Sequence, residues 1–180
     1  MAKWQLDTTH STVGFSVKHM MITTVRGSFN EFSGVIDFDP NNKAAAHVDV
    51  TIQAGSIDTR VADRDAHLRS ADFFNVEQYP TITFKSLGVD LQGDTVAKVT
   101  GNLTIAGVTK QVTLDVEYLG ENVNPWGQNV IGFEASVKIN REEFGLTWNQ
   151  ALETGGFLVS KDVKIELEVQ AAPVAETATV

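Results

Sequence analysis

The chain has 180 residues, no cysteine and a formal net charge of −9 at pH 7, with 42% hydrophobic and 21% charged residues. That balance fits one globular domain with its own core. The acidity argues against nucleic acid and against charge-driven docking on anionic bilayers, and the missing cysteines exclude disulfides, thiol nucleophiles and Cys-ligated zinc.

The chain opens Met1-Ala2-Lys3-Trp4-Gln5-Leu6-Asp7 and moves straight into strand-like sequence. It lacks the basic start and the apolar run of about 7–15 residues of a signal peptide. No stretch approaches the roughly 20 apolar residues of a membrane span. The expectation is a cytoplasmic protein without stable membrane insertion, unless a leader has been removed.

Period-2 alternation, the mark of half-buried strands, follows. Val13, Phe15 and Val17 alternate with Gly14, Ser16 and Lys18. Val25, Gly27 and Phe29 start a second run, which Phe32, Gly34, Ile36 and Phe38 finish in the opposite phase. The switch predicts a bulge bending one long strand, as barrel closure requires. Asp39-Pro40-Asn41-Asn42 makes a turn, and Val48, Val50 and Ile52 a strand. Within Ala54 to Pro80, Val61 to Ser70 reads as a short helix capped by Asp58 or Thr59. Strand patterns then centre on Ile82 and Phe84, Val99 to Ile105, Val112 to Tyr118, Ile131 to Ile139 and Val163 to Val169. Gln92-Gly93-Asp94 and Ala106-Gly107 are tight turns, Glu121 to Gly127 a longer loop, and Asn140 to Phe144 a turn of helix. Ala171 to Val180 shows no alternation and is expected to be a disordered tail after a single domain over residues 1–170. Short connections imply a meander, and about eight such strands close into a barrel. The fold expected is all-β: an eight-stranded antiparallel lipocalin-like barrel with one short helix in a long inter-strand insertion.

Three features bear on chemistry. The histidines at 10, 19, 47 and 67 form no H-x-x-x-H pair, and no G-x-S-x-G elbow or P-loop occurs. No catalytic residue, metal or cofactor is therefore assigned, although a nonlocal Ser/His/Asp set stays open. Three of the five arginines, Arg60, Arg64 and Arg69, fall within ten residues. Arg60, Arg64 and His67 at i, i+4, i+7 share a helical face able to meet a phosphate or a quinone oxygen. The alternative is a solvated helix with Asp63–His67 and Asp65–Arg69 pairs. Finally, Gly27, Gly34 and Gly101 sit in phase with apolar neighbours, so they either leave inner-wall space for a cavity or relieve strain where strands bend.

The ordered motifs resemble the YceI-like family of polyisoprenoid-binding proteins from Trp4 to about Val169. They are Trp4-x-Leu6-Asp7, His10-Ser11-x-Val13-x-Phe15-x-Val17-Lys18-His19, Val25-Arg26-Gly27-x-Phe29 and Ser56-Ile57-x-Thr59. Further along come Arg64-Asp65-x-His67-Leu68-Arg69-Ser70-x-Asp72-Phe73-Phe74, Tyr79-Pro80-x-Ile82-x-Phe84-x-Ser86, Gly101-x-Leu103-Thr104-Ile105-x-Gly107-Val108-Thr109 and Asn140-Arg141-x-x-Phe144-Gly145. The resemblance implies a barrel whose interior holds a long isoprenoid chain, such as a quinone or polyprenyl phosphate. A strand of about ten residues, roughly 33 Å long, tilts to a barrel height of about 25 Å, which suits an extended tail. The expected wall is the inward phase: Phe15, Val17, Phe29, Ile36, Phe38, Val50, Ile52, Ile82, Phe84 and Phe133, with Leu68, Phe73 and Phe74 covering the mouth. Arg60, Arg64 and His67 are the head-group candidates. A packed barrel acting as an interaction module and an enzyme on an apolar substrate are the rival readings, and a homodimer is left open.

Overall fold

The computed structural model describes residues 2–174. Eleven strands run in chain order: β1 (Ala2–Leu6), β2 (Thr12–His19), β3 (Thr23–Phe29), β4 (Phe32–Phe38), β5 (His47–Gln53), β6 (Ile57–Asp58), β7 (Thr81–Leu91), β8 (Val96–Ile105), β9 (Val108–Val123), β10 (Asn129–Asn140) and β11 (Val159–Pro173). One helix, α1, spans Ala62–Arg69. Hydrogen-bonded neighbours follow the ring β1-β4-β5-β7-β8-β9-β10-β11, and β11 returns to β1.

Several of these strands are halves of one another. The edge of β11 away from β10 carries β2 along Val159–Glu168 and β1 along Ala171–Pro173. On the next position β3 pairs with β2, and β4 with β1. Then β5 pairs with β4, and β6 with β3. The result is a closed antiparallel barrel of eight strand positions, connected as a meander. The bend foreseen between Phe29 and Phe32 is present: β3 ends at Phe29, β4 starts at Phe32, and both rings are buried despite their opposite sequence phase.

The structure corrects three expectations. Ala171–Pro173 are no tail; Ala171 is 0% exposed and seals the barrel against Leu6. Small residues hid this strand end, because closure there rests on backbone pairing rather than on large side chains. Residues 175–180 of the expected tail lie outside the described residues. The long loop is shorter than expected, since β9 continues to Val123 and the connection is Asn124–Gln128. The N-cap of α1 is Val61, because Asp58 accepts from Arg60 N and the Thr59 hydroxyl donates to Asp65. Neither side chain is free to cap.

The glycines also resolve. Gly27 lies opposite Phe15 on the neighbouring strand, and a methyl group there would overlap the Phe15 ring. The Phe84 ring lies over Gly101 in the same manner. These glycines are beds for aromatic rings, a known way of covering a strand glycine, and they add no empty space. The Ala106-Gly107 turn fits its residues, with φ of 48° and 77° in a two-residue hairpin joining Ile105 to Val108. Among the described residues no helix is long and apolar enough to cross a membrane.

Candidate functional site

Inward-facing side chains of the barrel enclose a cavity of about 280 Å³. On a scale where one water-sized site takes about 10–15 Å³, it has room for roughly twenty heavy atoms, the carbon count of four five-carbon isoprene units. The wall is apolar almost throughout; Lys43, Asp94 and Arg141 are the charged residues among its lining. Nothing on such a wall compensates a polar group for lost water, so it favours an apolar occupant.

The two ends differ. From Phe133 to Ile139 the wall follows six residue steps of β10, about 20 Å along the strand at 3.3 Å per residue. From Ala97 to Ile105 it follows eight steps of β8, about 26 Å along the strand or roughly 20 Å along the barrel axis once tilt is allowed for. At the Ile139 end, α1 and the short 3-10 turn Arg141–Phe144 close the barrel. Leu68, Phe73 and Phe74 pack there; Phe74 stands edge-on to Phe29 at 5.8 Å, and Phe29 meets Phe15 at 5.6 Å. Trp148 ties the two covering segments together, with His67 at 4.7 Å and Phe73 at 5.5 Å. The lining residues exposed to solvent all lie at the other end, in Leu91 and Gly93–Val96 of the β7–β8 hairpin. Leu91 and Val96 are 44% and 45% exposed. This hairpin marks the mouth. Behind it, Phe38, Tyr118 and Phe133 form an aromatic cluster with centroids 5.0 to 5.3 Å apart.

Thirteen of the residues singled out from the sequence line this cavity: Phe15, Val17, Phe29, Ile36, Phe38, Val50, Ile52, Leu68, Phe73, Phe74, Ile82, Phe84 and Phe133. Leu68, Phe73 and Phe74 cover the closed end, opposite the exposed hairpin, rather than the mouth. Arg60, Arg64 and His67 are not on the wall. Arg60 precedes the helix in a left-handed conformation at φ 69°, so the shared face does not form. Arg64 donates from Nε to the Thr59 hydroxyl and from an NH2 group to the Thr59 carbonyl, both at 2.7 Å. His67 pairs with Asp72 at 2.9 Å, and Asp65 accepts from Thr59, in place of the Asp63–His67 and Asp65–Arg69 pairs of the solvated-helix alternative.

Arg141 was missed as a wall residue, although it stands in the Asn140-Arg141-x-x-Phe144-Gly145 motif. It is 4% exposed. Its guanidinium donates to four backbone carbonyls, those of Leu146, Trp148, Ser160 and Val159. Burial lowers its pKa first, and Glu142 partly offsets this. The turn is set by Asn140, whose side chain caps Glu142 N, and by left-handed Gly145. Arg141 thus knots the closed end. His10 forms a local turn with Asp7 (2.7 Å) and Thr9 (3.1 Å) on the surface. Among the described residues, no cluster of three or more His, Cys, Asp or Glu has the arrangement a metal ion needs.

Comparison with known proteins is consistent with this architecture. The YceI-like domain pattern matches residues 4–171. A UPF0312 protein of Staphylococcus epidermidis is 42% identical over 171 residues, covering 94% of this chain and 97% of that protein. The crystal structure of the Campylobacter jejuni YCEI protein superimposes with a TM-score of 0.75 at 37% identity, over 88% of this chain and 90% of that one. A polyisoprenoid binding domain from Saccharophagus degradans shares the fold, with a TM-score of 0.71 at 16% identity over 97% and 100% of the two chains.

Proposed function

This chain belongs to the YceI-like family, and from that membership and its apolar cavity we propose that it binds the tail of a long isoprenoid lipid and shields it from water for storage or transfer. The observation that carries the reading is the wall: an interior about 20 Å deep, lined by Val, Ile, Leu and Phe. Each buried methylene contributes about 0.8 kcal/mol, so an extended tail binds tightly without polar contacts. The fold neighbour from Saccharophagus degradans, a polyisoprenoid binding domain, supports the same ligand class. An isoprenoid quinone and a polyprenyl phosphate both satisfy the tail; the head group is a separate question.

Binding without turnover is the favoured form. Of the charged residues on the wall, Arg141 gives four of its five N–H donors to carbonyls and Lys43 donates to the Asp94 carbonyl; no serine, cysteine or histidine is among the described residues that line the space. The packed-barrel alternative needs a filled interior, and the cavity argues against it. Mass spectrometry of an organic extract of the purified protein, with melting curves in added prenyl compounds, tests the proposal. A stoichiometric isoprenoid, or a raised melting temperature as mass action requires, is the expected result. No lipid in the extract and no shift with any prenyl compound would overturn it.

A further inference from the structure

The ribbon formed by the ends of β9 and β10 runs past the barrel wall. Pairing of β9 with β8 ends at Val96↔Glu117, and pairing of β10 with β11 ends at Ile131↔Ala171. The two strands stay paired with each other out to Val123↔Asn129. The ribbon starts at the mouth: Tyr118 lines the cavity, and its N–H donates to the Thr95 carbonyl of the β7–β8 hairpin at 2.7 Å. Beyond that point it carries Leu119, Val123 and Trp126, which are 55%, 58% and 85% exposed. Trp126 is the most exposed large apolar side chain among the described residues. With Leu91 and Val96 on the neighbouring hairpin, one end of the barrel leaves apolar side chains in water, the mark of a surface that meets a partner.

The turn at the tip of the ribbon suits an apolar medium. Its N–H groups are used up within the turn. Asn124 N donates to the Gln128 carbonyl and Gly127 N to the Asn124 carbonyl, both at 2.9 Å. Trp126 N and Gln128 N both donate to the Asn124 side-chain oxygen, at 3.0 and 2.9 Å, and Pro125 has no N–H. Leaving water strands none of these donors, which is the cost that keeps most loops out of lipid. Charge narrows the partner further. The segments Leu91–Val96 and Leu119–Val130 carry two ionisable side chains, Asp94 and Glu121, both acidic. Lys43, the cation that lines this end, is half-buried and donates to the Asp94 carbonyl. An anionic surface finds no basic cluster here. An interface without net charge fits, because an indole sets its ring among acyl chains and its N–H among head groups. We propose that the Trp126 ribbon and the β7–β8 hairpin dock the mouth on the surface of a bilayer without net charge, so that a lipid passes between membrane and cavity without crossing water. What passes rests on the lipid-binding reading; the docking rests on the ribbon.

The test mixes the full chain with phosphatidylcholine vesicles and reads the bound fraction by flotation. Wild type should float with the vesicles. W126S should bind at least about tenfold more weakly, since withdrawing about 60 Å² of apolar surface from water already amounts to that factor. Its melting temperature should match wild type, because the indole is exposed. Added salt should leave wild-type binding within about twofold, and replacing part of the lipid with phosphatidylglycerol should weaken it. Transfer of a prenyl alcohol between vesicles should slow in W126S, while affinity for a short-tailed prenyl alcohol in solution stays unchanged. Wild type that does not float, W126S that floats equally well, or tighter binding to the phosphatidylglycerol vesicles overturns the proposal. So does a wild-type dimer that W126S dissociates, which would make the ribbon a self-interface. A chain that floats but takes up no prenyl alcohol would overturn the lipid-binding reading and the passage, and leave the docking standing.

Discussion

Cutting the chain after Gln170 should open the barrel, whereas cutting after Val174 should not. The first cut removes the pairs Trp4↔Pro173, Gln5↔Ala172 and Leu6↔Ala171, along with the bond from Val174 N to Lys3 O at 3.0 Å. That is on the order of three ladder hydrogen bonds, at about 0.5–1.5 kcal/mol each. Ala171 is fully buried, and losing its methyl adds about 0.8 kcal/mol. The sum, ~2–5 kcal/mol, is a large share of the usual 5–15 kcal/mol of a domain. It also leaves one edge of β1 unpaired, which invites association. Urea unfolding followed by tryptophan fluorescence reads the difference, since Trp4 sits in β1 with its Nε1 donating to Phe38 O at 3.2 Å. If both truncations unfold within about 0.5 kcal/mol of the full chain, closure through β11 and β1 does not stabilise the barrel and the assignment of the last strand is wrong.

Phe84→Ala should cost less than the ~3–5 kcal/mol of a packed core, because one side of the ring already faces the cavity, and it should shift preference toward bulkier tails; a full penalty with unchanged ligand binding would place Phe84 outside the pocket. Arg64→Gln should lower the melting temperature modestly by releasing Thr59, and change affinity for prenyl phosphate and prenyl alcohol equally; selective loss of the phosphate would restore Arg64 as a head-group contact. Asp7 has its pKa lowered, first by its bond from the Thr9 hydroxyl and next by His10. The stabilisation is thus present above the ordinary carboxylate range and lost as pH falls through the depressed value. The stability gap between wild type and Asp7→Asn, under about 1 kcal/mol for this part-exposed group, should therefore close in acid; a gap that widens there would refute the sign.

The barrel was legible because every strand buries one face, which prints a period of two on the sequence. Even the reversal at Phe29 and Phe32 could be read, since both rings point inward across a bend. What could not be read depends on backbone or on distant loops. Ala171, Ala172 and Pro173 close the ring through ladder bonds, and no side-chain pattern announces that. Arg60 sits where a helix was expected to start, but the Asp58 carboxylate accepts from Arg60 N at 2.9 Å and turns the chain left-handed there. Gly27 and Gly101 could be read either as vacancies or as strain relief, because the rings that cover them come from neighbouring strands. Lys43 and Asp94 are 51 positions apart and meet only once the barrel has closed. No local pattern links them.

Two cations on the wall mark opposite ends of the cavity. Arg141 is as buried as any head-group ligand would require, yet its donors already go to Leu146, Trp148, Ser160 and Val159, and moving them would strand four carbonyls. It serves as the floor. Lys43 has one carbonyl, on the solvent-exposed hairpin, and one ring face, on β9. A tail that enters at the hairpin points toward Leu68, Phe74 and Leu146. Such a floor measures length. Tails up to about 20 Å gain affinity with each added unit, at ~0.8 kcal/mol per methylene. Longer tails must fold back inside the barrel or leave their excess in water, and the gain per unit ends there.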